Sequence, residues 1–107
     1  MKITFHKYHG TGNDFIMIDD RLNNFPLSTE QVRKLCDRHF GIGGDGLIRI
    51  VKKDGFDFEM VYYNSDGNFG SMCGNGGRCA VAFAHTLKLI KEETNFLAFD
   101  GPHEAIL

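Results

Sequence analysis

Apolar and polar residues alternate in two parts of the chain, and this alternation predicts β-strands. Residues 2–9 begin with Ile3 and Phe5 between polar neighbours, and residues 56–63 show the clearest alternation in the sequence. A period of two places successive side chains on opposite faces of a sheet. Shorter apolar runs between turn-forming residues predict further strands at 15–18, 47–51, 96–99 and 105–107.

Two other segments have the pattern of helices. Ser28, with Gln31 three residues later, is typical of a capping box at a helix start. The residues that then share one helix face are Val32, Leu35, Cys36 and His39. Gly41 is predicted to end this helix. Residues 80–90 are rich in helix formers and apolar on nearly all sides until Lys88, which predicts a buried helix.

The predicted order of elements is β-β-α-β-β-α-β-β, with a turn at Asp54-Gly55 and the last two strands on either side of Gly101-Pro102. We expect an α+β fold from this order. In it, a strongly curved, barrel-like sheet of mixed and antiparallel strands wraps around the second helix, which is the central apolar one. The whole chain, 1–107, forms one domain in this interpretation.

Composition narrows the class of protein. Of the 107 residues, 42% are hydrophobic and 24% charged, as in a soluble globular domain, and the net charge is −2. We expect no nucleic-acid and no membrane partner, since both need a basic surface. No apolar run reaches the roughly 18–20 residues that span a bilayer, and no secretory signal is visible. Three cysteines, an odd number, indicate reduced thiols and a cytoplasmic location.

The end of the chain suggests a longer protein. Ala105-Ile106-Leu107 is apolar, whereas chain termini are usually polar and loose. We therefore expect residues 1–107 to be a fragment, one half of a larger protein whose second half is absent here.

The most informative segment surrounds Cys73. Ten of the thirteen glycines lie between Gly41 and Gly77, and Gly74 to Gly77 form the first turn of the predicted second helix. The first N–H groups of a helix bind anions and stabilise a thiolate. One short stretch could thus hold a carboxylate beside a thiolate base. The alternative is that Cys73 is a buried small apolar residue and the glycines only form a tight turn.

Polar residues at predicted strand ends and at the helix start form a second candidate set: Asn13, Asn64, Asp66 and Asn75. Asparagine amides can bind a zwitterionic ligand without adding charge. The alternative is turn chemistry, which Asn and Asp also favour. Cys36 and Cys79 are expected in the core. The dinucleotide fingerprint and the P-loop are absent from the sequence, and its scattered histidines argue against a metal site.

Three ordered motifs resemble the N-terminal half of the diaminopimelate epimerase family. The opening motif matches at Phe5, Lys7, His9-Gly10, Gly12-Asn13-Asp14-Phe15 and Asp19. The middle motif matches from Arg38 to Gly46. The third motif matches at Asn64-Ser65-Asp66-Gly67 and at Met72-Cys73-Gly74-Asn75-Gly76-Gly77-Arg78-Cys79.

The resemblance implies a cofactor-independent epimerase that interconverts LL- and meso-diaminopimelate on the route to lysine and cell-wall precursors. Such enzymes have two similar halves, each a curved sheet around a central helix, with an amino-acid substrate between them. Carried over to this sequence, Cys73 is one of two acid/base cysteines. Substrate would contact the backbone N–H groups of Gly74 and Asn75 and the side chains of Asn13, Asn64 and Asn75. A homodimer of the full-length protein is a further expectation.

Gly46 departs from the pattern, because some members carry a substrate-binding glutamine there. Two alternatives remain open from the sequence. One is another two-cysteine amino-acid racemase related to proline racemase. The other is a non-catalytic half-domain that binds a small carboxylate or pairs with a second copy of itself.

Overall fold

A computed structural model describes residues 4–10, 12–22, 27–70 and 74–106 of the chain. Its elements, in chain order, are β1 (His6–Gly10), β2 (Asn13–Asp19), α1 (Thr29–Cys36), β3 (Gly46–Val51), β4 (Phe58–Asn64), α2 (Gly74–Thr86), β5 (Glu93–Ala98) and β6 (Gly101–Ile106). The β-β-α-β-β-α-β-β order predicted from the sequence is confirmed.

The six strands form one mixed sheet in which they lie side by side in chain order. Each of the pairs β1–β2, β3–β4 and β5–β6 is antiparallel. The pairs β2–β3 and β4–β5 are parallel, joined by crossovers that contain α1 and α2. The sheet is open, with β1 and β6 at its two edges, so the barrel-like expectation is wrong. A closed barrel would pair β1 with β6, and these two strands do not pair with each other. Closure of a sheet requires strand number, tilt and stagger to agree.

The sheet buries side chains on both faces, which explains the uninterrupted apolar run in β2. Phe15 and Met17 pack in one cluster with α2, while Ile16 and Ile18 pack in another with α1. Strand side chains alternate between faces, so only a strand covered on both sides can be apolar throughout. Phe83 of α2 is fully buried in the first cluster, as the prediction of a buried helix requires.

Helix α1 begins as predicted but ends early. The Ser28 hydroxyl accepts a hydrogen bond from the Gln31 backbone N–H, and the Gln31 side chain accepts one from Ser28. The helix ends at Cys36, before the predicted stop at Gly41. Asp37 is extended, with φ −64° and ψ 126°. Its carboxylate accepts from the N–H groups of His39 and Phe40, and this local turn competes with a further helical turn.

Helix α2 is closed at its C-terminal end by a Schellman motif. Lys88 has φ 63°, and its N–H donates to His85 O at 3.0 Å, while the Leu89 N–H donates to Ala84 O at 3.0 Å. The helix therefore ends at Thr86, although the apolar pattern continues to Ile90.

The predicted turn at Asp54-Gly55 and the predicted connection at Gly101-Pro102 have different outcomes. Asp54-Gly55 lies in the connection between β3 and β4, and Gly55 has φ +86°. Gly101-Pro102 is instead the start of β6, which pairs with β5 from Gly101 onward. Proline is tolerated in β6 because an edge strand has N–H positions that need no partner strand.

Candidate functional site

One end of the sheet carries the described polar residues that the sequence singled out. Because β2 and β3 are parallel and β4 is antiparallel to β3, the start of β2 and the end of β4 lie at the same end. Asn13 begins β2 there and Asn64 ends β4. Helix α2 also begins there, with Gly74 and Asn75, because Asn75 contacts Asn13.

Cys73, the predicted acid/base residue, lies outside the described residues. It directly precedes Gly74, the first residue of α2. The described part of the site is therefore the helix start that follows this thiol in the chain, together with the strand ends beside it.

Asn13 and Asn75 are in direct contact although 62 residues separate them. The Asn75 side chain donates from Nδ2 to Asn13 Oδ1 at 2.7 Å. Gly10 makes this approach possible: a Cβ there would lie 3.1 Å from Asn75 O and 3.3 Å from Cys79 Sγ. Glycine at the end of β1 thus allows the start of α2 to pack closely against the strand pair.

Asp45 holds the other side of the Asn13 amide. Asn13 Nδ2 donates to Asp45 Oδ2 at 3.2 Å, and the Asp14 backbone N–H donates to the same oxygen at 3.2 Å. The Asp45 backbone N–H in turn donates to Asp14 O at 2.9 Å. These bonds link the starts of the parallel strands β2 and β3.

Two cations stabilise the carboxylate of Asp14. Arg38 donates to both of its oxygens, at 2.8 and 3.1 Å, and Lys7 Nζ lies 2.8 Å from Oδ2. Hydrogen bonds from Arg38 first, and from Lys7 next, hold the pKa of Asp14 well below its usual range, against the opposing effect of burial. Arg38 also donates to Asp45 Oδ1 at 3.1 Å. This group of charges fixes the strand ends that carry Asn13.

Arg78 Nη2 donates to Asn75 Oδ1 and so belongs to the same arrangement. The sequence alone assigned no site role to four residues found here: Lys7, Arg38, Asp45 and Arg78. They lie on separate elements or turns, so no helical or strand period links them. The only available signal was their presence in the family-like motifs.

Asn64 belongs to the same end of the sheet but not to the Asn13–Asn75 contact. Its backbone forms a turn, with N–H donating to Asn68 O at 2.9 Å and O accepting from the Gly67 N–H at 2.9 Å. Gly70 leaves room for its side chain, since a Cβ at Gly70 would lie 2.8 Å from Asn64 Oδ1. The exposed Asp66 accepts from the Asn68 N–H, which fits the turn alternative for Asp66.

Gly46 has no room for a side chain. A Cβ there would lie 2.8 Å from Tyr63 O and 3.0 Å from the Tyr62 hydroxyl oxygen. A glutamine at this position could therefore enter only if Tyr62 and the β4 backbone moved.

The first turn of α2 carries no negative side-chain charge. Residues 74–77 contain no acidic side chain, and Gly76 and Gly77 are buried. N–H groups of a first helical turn carry partial positive charge and lack helical acceptors. A carboxylate bound there would receive hydrogen bonds close to the Asn13–Asn75 pair.

The two described thiols lie in the core, as predicted. Cys36 is 4% exposed and Cys79 is 3% exposed. Burial raises the pKa of the Cys36 thiol to about 11, so this group stays protonated at neutral pH.

A surface groove follows β3 and β4 and reaches Gly70, beside the Asn64 side chain. This groove, of about 570 Å³, is lined by residues that include Arg49, Glu59, Val61, Phe69 and Phe99. Within residues 4–10, 12–22, 27–70 and 74–106, no three His, Cys, Asp or Glu side chains converge as metal ligands. Over the same residues, no helix has the length and apolar character required to cross a membrane.

Comparison with known proteins identifies the family. The model of the diaminopimelate epimerase family matches residues 5–102. The diaminopimelate epimerase of Flavobacterium psychrophilum is 61% identical over 103 residues, covering 95% of this chain and 40% of that protein. The enzyme of Chlorobaculum tepidum is 58% identical over 93 residues, covering 87% of this chain and 36% of that protein. The chain therefore spans about two fifths of these relatives, or less.

Solved structures share the fold at low sequence identity. A phenazine biosynthesis protein of the PhzF family from Bacillus anthracis matches with a TM-score of 0.75 and 16% identity, over 99% of this chain and 36% of that one. A methylitaconate-delta-isomerase matches with a TM-score of 0.74 and 14% identity, over 100% of this chain and 60% of that one. From the family match and the sequence identities, the chain belongs to the diaminopimelate epimerase family.

Proposed function

We propose that residues 1–107 form the N-terminal half of a cofactor-independent diaminopimelate epimerase, in which Cys73 is one of two acid/base residues. The complete protein would interconvert LL- and meso-diaminopimelate and so serve lysine and cell-wall precursor synthesis. Its second half would resemble this one and would supply the opposing cysteine and the groups that bind the distal end of the substrate.

The observation that carries the proposal is the meeting of Asn13 with the start of α2. The Asn13–Asn75 contact joins a strand end to a glycine-rich helix start without an acidic residue, and Cys73 directly precedes that helix in the sequence. In the proposed complex the N–H groups of Gly74 and Asn75 bind the α-carboxylate, while Asn13, Asn64 and the Asn75 side chain contact the substrate. Membership of the family supports this assignment.

The proposed reaction is an inversion by two proton transfers. The thiolate of one cysteine takes the α-proton from one face, and the C–H electron pair is left on the α-carbon and its carboxylate. The thiol of the opposing cysteine then donates a proton to the other face. The first cysteine ends as a thiol and the second as a thiolate, so the reverse direction uses the same groups with exchanged roles.

The barrier for this step depends on charge stabilisation, because the α-proton of an amino acid is weakly acidic. N–H dipoles that already point at the carboxylate stabilise the charge that grows there. A thiol at a helix N-terminus is favoured as the thiolate and can act as a base near neutral pH.

The experiment is solvent deuterium exchange on the complete protein that carries this chain. Wild-type protein in D2O should incorporate deuterium at the α-carbon of diaminopimelate. Cys73→Ala should lower both exchange and turnover by about 10³-fold or more, the order of effect of removing a general acid/base.

Cys36→Ala is the matched control, because it makes the same substitution at a buried thiol that packs in the core between α1 and the sheet. It should reduce stability and leave turnover of the folded protein unchanged. Unchanged exchange in Cys73→Ala would overturn the proposed function.

A further inference from the structure

Four polar side chains, those of Arg78, Asn75, Asn13 and Asp45, form a continuous hydrogen-bond network across the candidate site. Arg78 Nη2 donates to Asn75 Oδ1. Asn75 Nδ2 donates to Asn13 Oδ1 at 2.7 Å, and Asn13 Nδ2 donates to Asp45 Oδ2 at 3.2 Å. The donor-to-acceptor direction of this network is therefore the same throughout, from a guanidinium on α2 to a carboxylate beside β3.

The chemistry of the two residues that end the network, Arg78 and Asp45, fixes the orientation of both asparagine amides. Arginine can only donate and an ionised aspartate can only accept. If the Asn75 amide turned over, its NH2 group would face Arg78, and if the Asn13 amide turned over, its oxygen would face Asp45. Both arrangements place like partial charges together. Asparagine oxygens and nitrogens are assigned from such partners, and here the partners permit one assignment.

This orientation decides what the two amides offer to a ligand. The side-chain oxygens of Asn13 and Asn75 each accept a hydrogen bond within the network, and each NH2 group uses one of its two hydrogens there. Each amide therefore retains an N–H beyond these bonds. Each amide oxygen also keeps a second lone pair, but the fixed orientation places two N–H donors beside the first turn of α2, and two such donors suit a carboxylate.

Asp45 and Arg78, the two ends of the network, are themselves held in place. Asp45 is held by Arg38 and by the backbone N–H of Asp14. Arg78 lies three residues after Asn75, one turn along the same helix, and its side chain is exposed. Neither end needs to contact the ligand to exert its effect.

We propose that Asp45 and Arg78 are positioning residues that hold the Asn13 and Asn75 amides with their N–H groups toward a carboxylate ligand. This proposal rests on the proposed function, because the ligand is the α-carboxylate of an amino acid. It adds two residues that act on the ligand only through the asparagines.

The variants follow from donor and acceptor chemistry. Asp45→Asn and Arg78→Gln replace an end of fixed polarity with an amide that can both donate and accept, so the neighbouring asparagine can turn over. Arg78→Lys keeps an end that only donates. Arg33→Gln makes the same change as Arg78→Gln on α1, where the arginine pairs with Glu30, and serves as the control.

Binding of diaminopimelate is measured by calorimetry on the complete protein in a Cys73→Ala background, so that chemistry does not enter. Asp45→Asn and Arg78→Gln should each raise Kd about tenfold or more, as expected for loss of a charge-assisted hydrogen bond. Arg78→Lys should stay within about threefold of the parent, and Arg33→Gln should match it. Circular dichroism checks that each variant is folded.

Order parameters of the Asn13 and Asn75 side-chain amides, from ¹⁵N relaxation, give a readout that needs no ligand. We expect values near those of rigid backbone, about 0.8 or above, in the parent and below about 0.6 in Asp45→Asn and Arg78→Gln. If the parent does not bind diaminopimelate, the proposed function fails, and these order parameters decide the positioning separately. Unchanged Kd and unchanged order parameters in both variants would overturn the proposal, as would Arg78→Lys weakening binding as much as Arg78→Gln.

Discussion

The two helices differ most at their N-terminal ends. In α1, Ser28 and Gln31 satisfy each other's backbone N–H groups, and Glu30 places a negative charge in the first turn. In α2, residues 74–77 are mostly glycine and contain no acidic side chain. The positive end of the helix dipole is thus complemented by an acidic side chain in the first turn of α1, whereas residues 74–77 of α2 supply none.

The cysteines follow the same contrast. Cys36 is the last residue of α1, where the helix dipole disfavours a negative charge, and burial raises the pKa of its thiol to about 11. Cys73 immediately precedes α2, at the end where the dipole favours a thiolate.

The largest expected effect concerns the reactivity of these two thiols. At pH 8 a thiol with a pKa of about 11 has roughly 100-fold less thiolate than an ordinary exposed cysteine, so Cys36 should react slowly with iodoacetamide. Cys73 should react faster than Cys36 by at least that factor. Mass spectrometry of peptides from the folded protein measures both rates, and urea-unfolded protein, in which they should be similar, is the control. Equal rates in the folded protein would remove the contrast between the helices.

The next effect tests whether α1 supports the turn after β4. Gly67 has φ +91°, and a Cβ there would lie 2.0 Å from Thr29 O in the first turn of α1. Gly67→Ala should therefore lower the free energy of unfolding by about 2 kcal/mol or more. Urea denaturation measures the change.

Gly55→Ala is the matched control for this turn. Gly55 has φ +86°, but nothing lies within 4 Å of its Cβ position. It should lose only about 1 kcal/mol, from the left-handed backbone. Equal losses in the two variants would show that the contact with α1 contributes nothing.

The smallest effect concerns the cap of α1. Ser28→Ala removes the acceptor for the Gln31 N–H and should lower the free energy of unfolding by about 1 kcal/mol. Because the Ser28 hydroxyl bonds to Gln31 of its own helix, turnover of the folded complete protein should not change. Urea denaturation and the deuterium-exchange assay test the two expectations. A loss of turnover without a loss of stability would place α1 in the site and contradict the contrast.

Much of the fold could be predicted because its determinants are local. The pairing of Ser28 with Gln31 and the apolar run from Phe15 to Ile18 act within a few residues, and both predictions are confirmed. The end of α1 was missed because the Asp37 side chain accepts hydrogen bonds from the backbone N–H groups of His39 and Phe40 and forms a turn. The spacing of apolar residues carries no information about such a bond. The barrel-like sheet was wrong because closure depends on strands at opposite ends of the chain.

The sequence by itself determined the order of the elements, the start of α1 and the burial of Cys36 and Cys79, since periodicity, capping and side-chain hydrophobicity are properties of short segments. Only the tertiary structure decided that Asn75 contacts Asn13, and that Asp45 and Arg78 orient that pair. Those contacts depend on strand register and on how closely α2 approaches Gly10, and no local pattern encodes distances between residues so far apart in the chain.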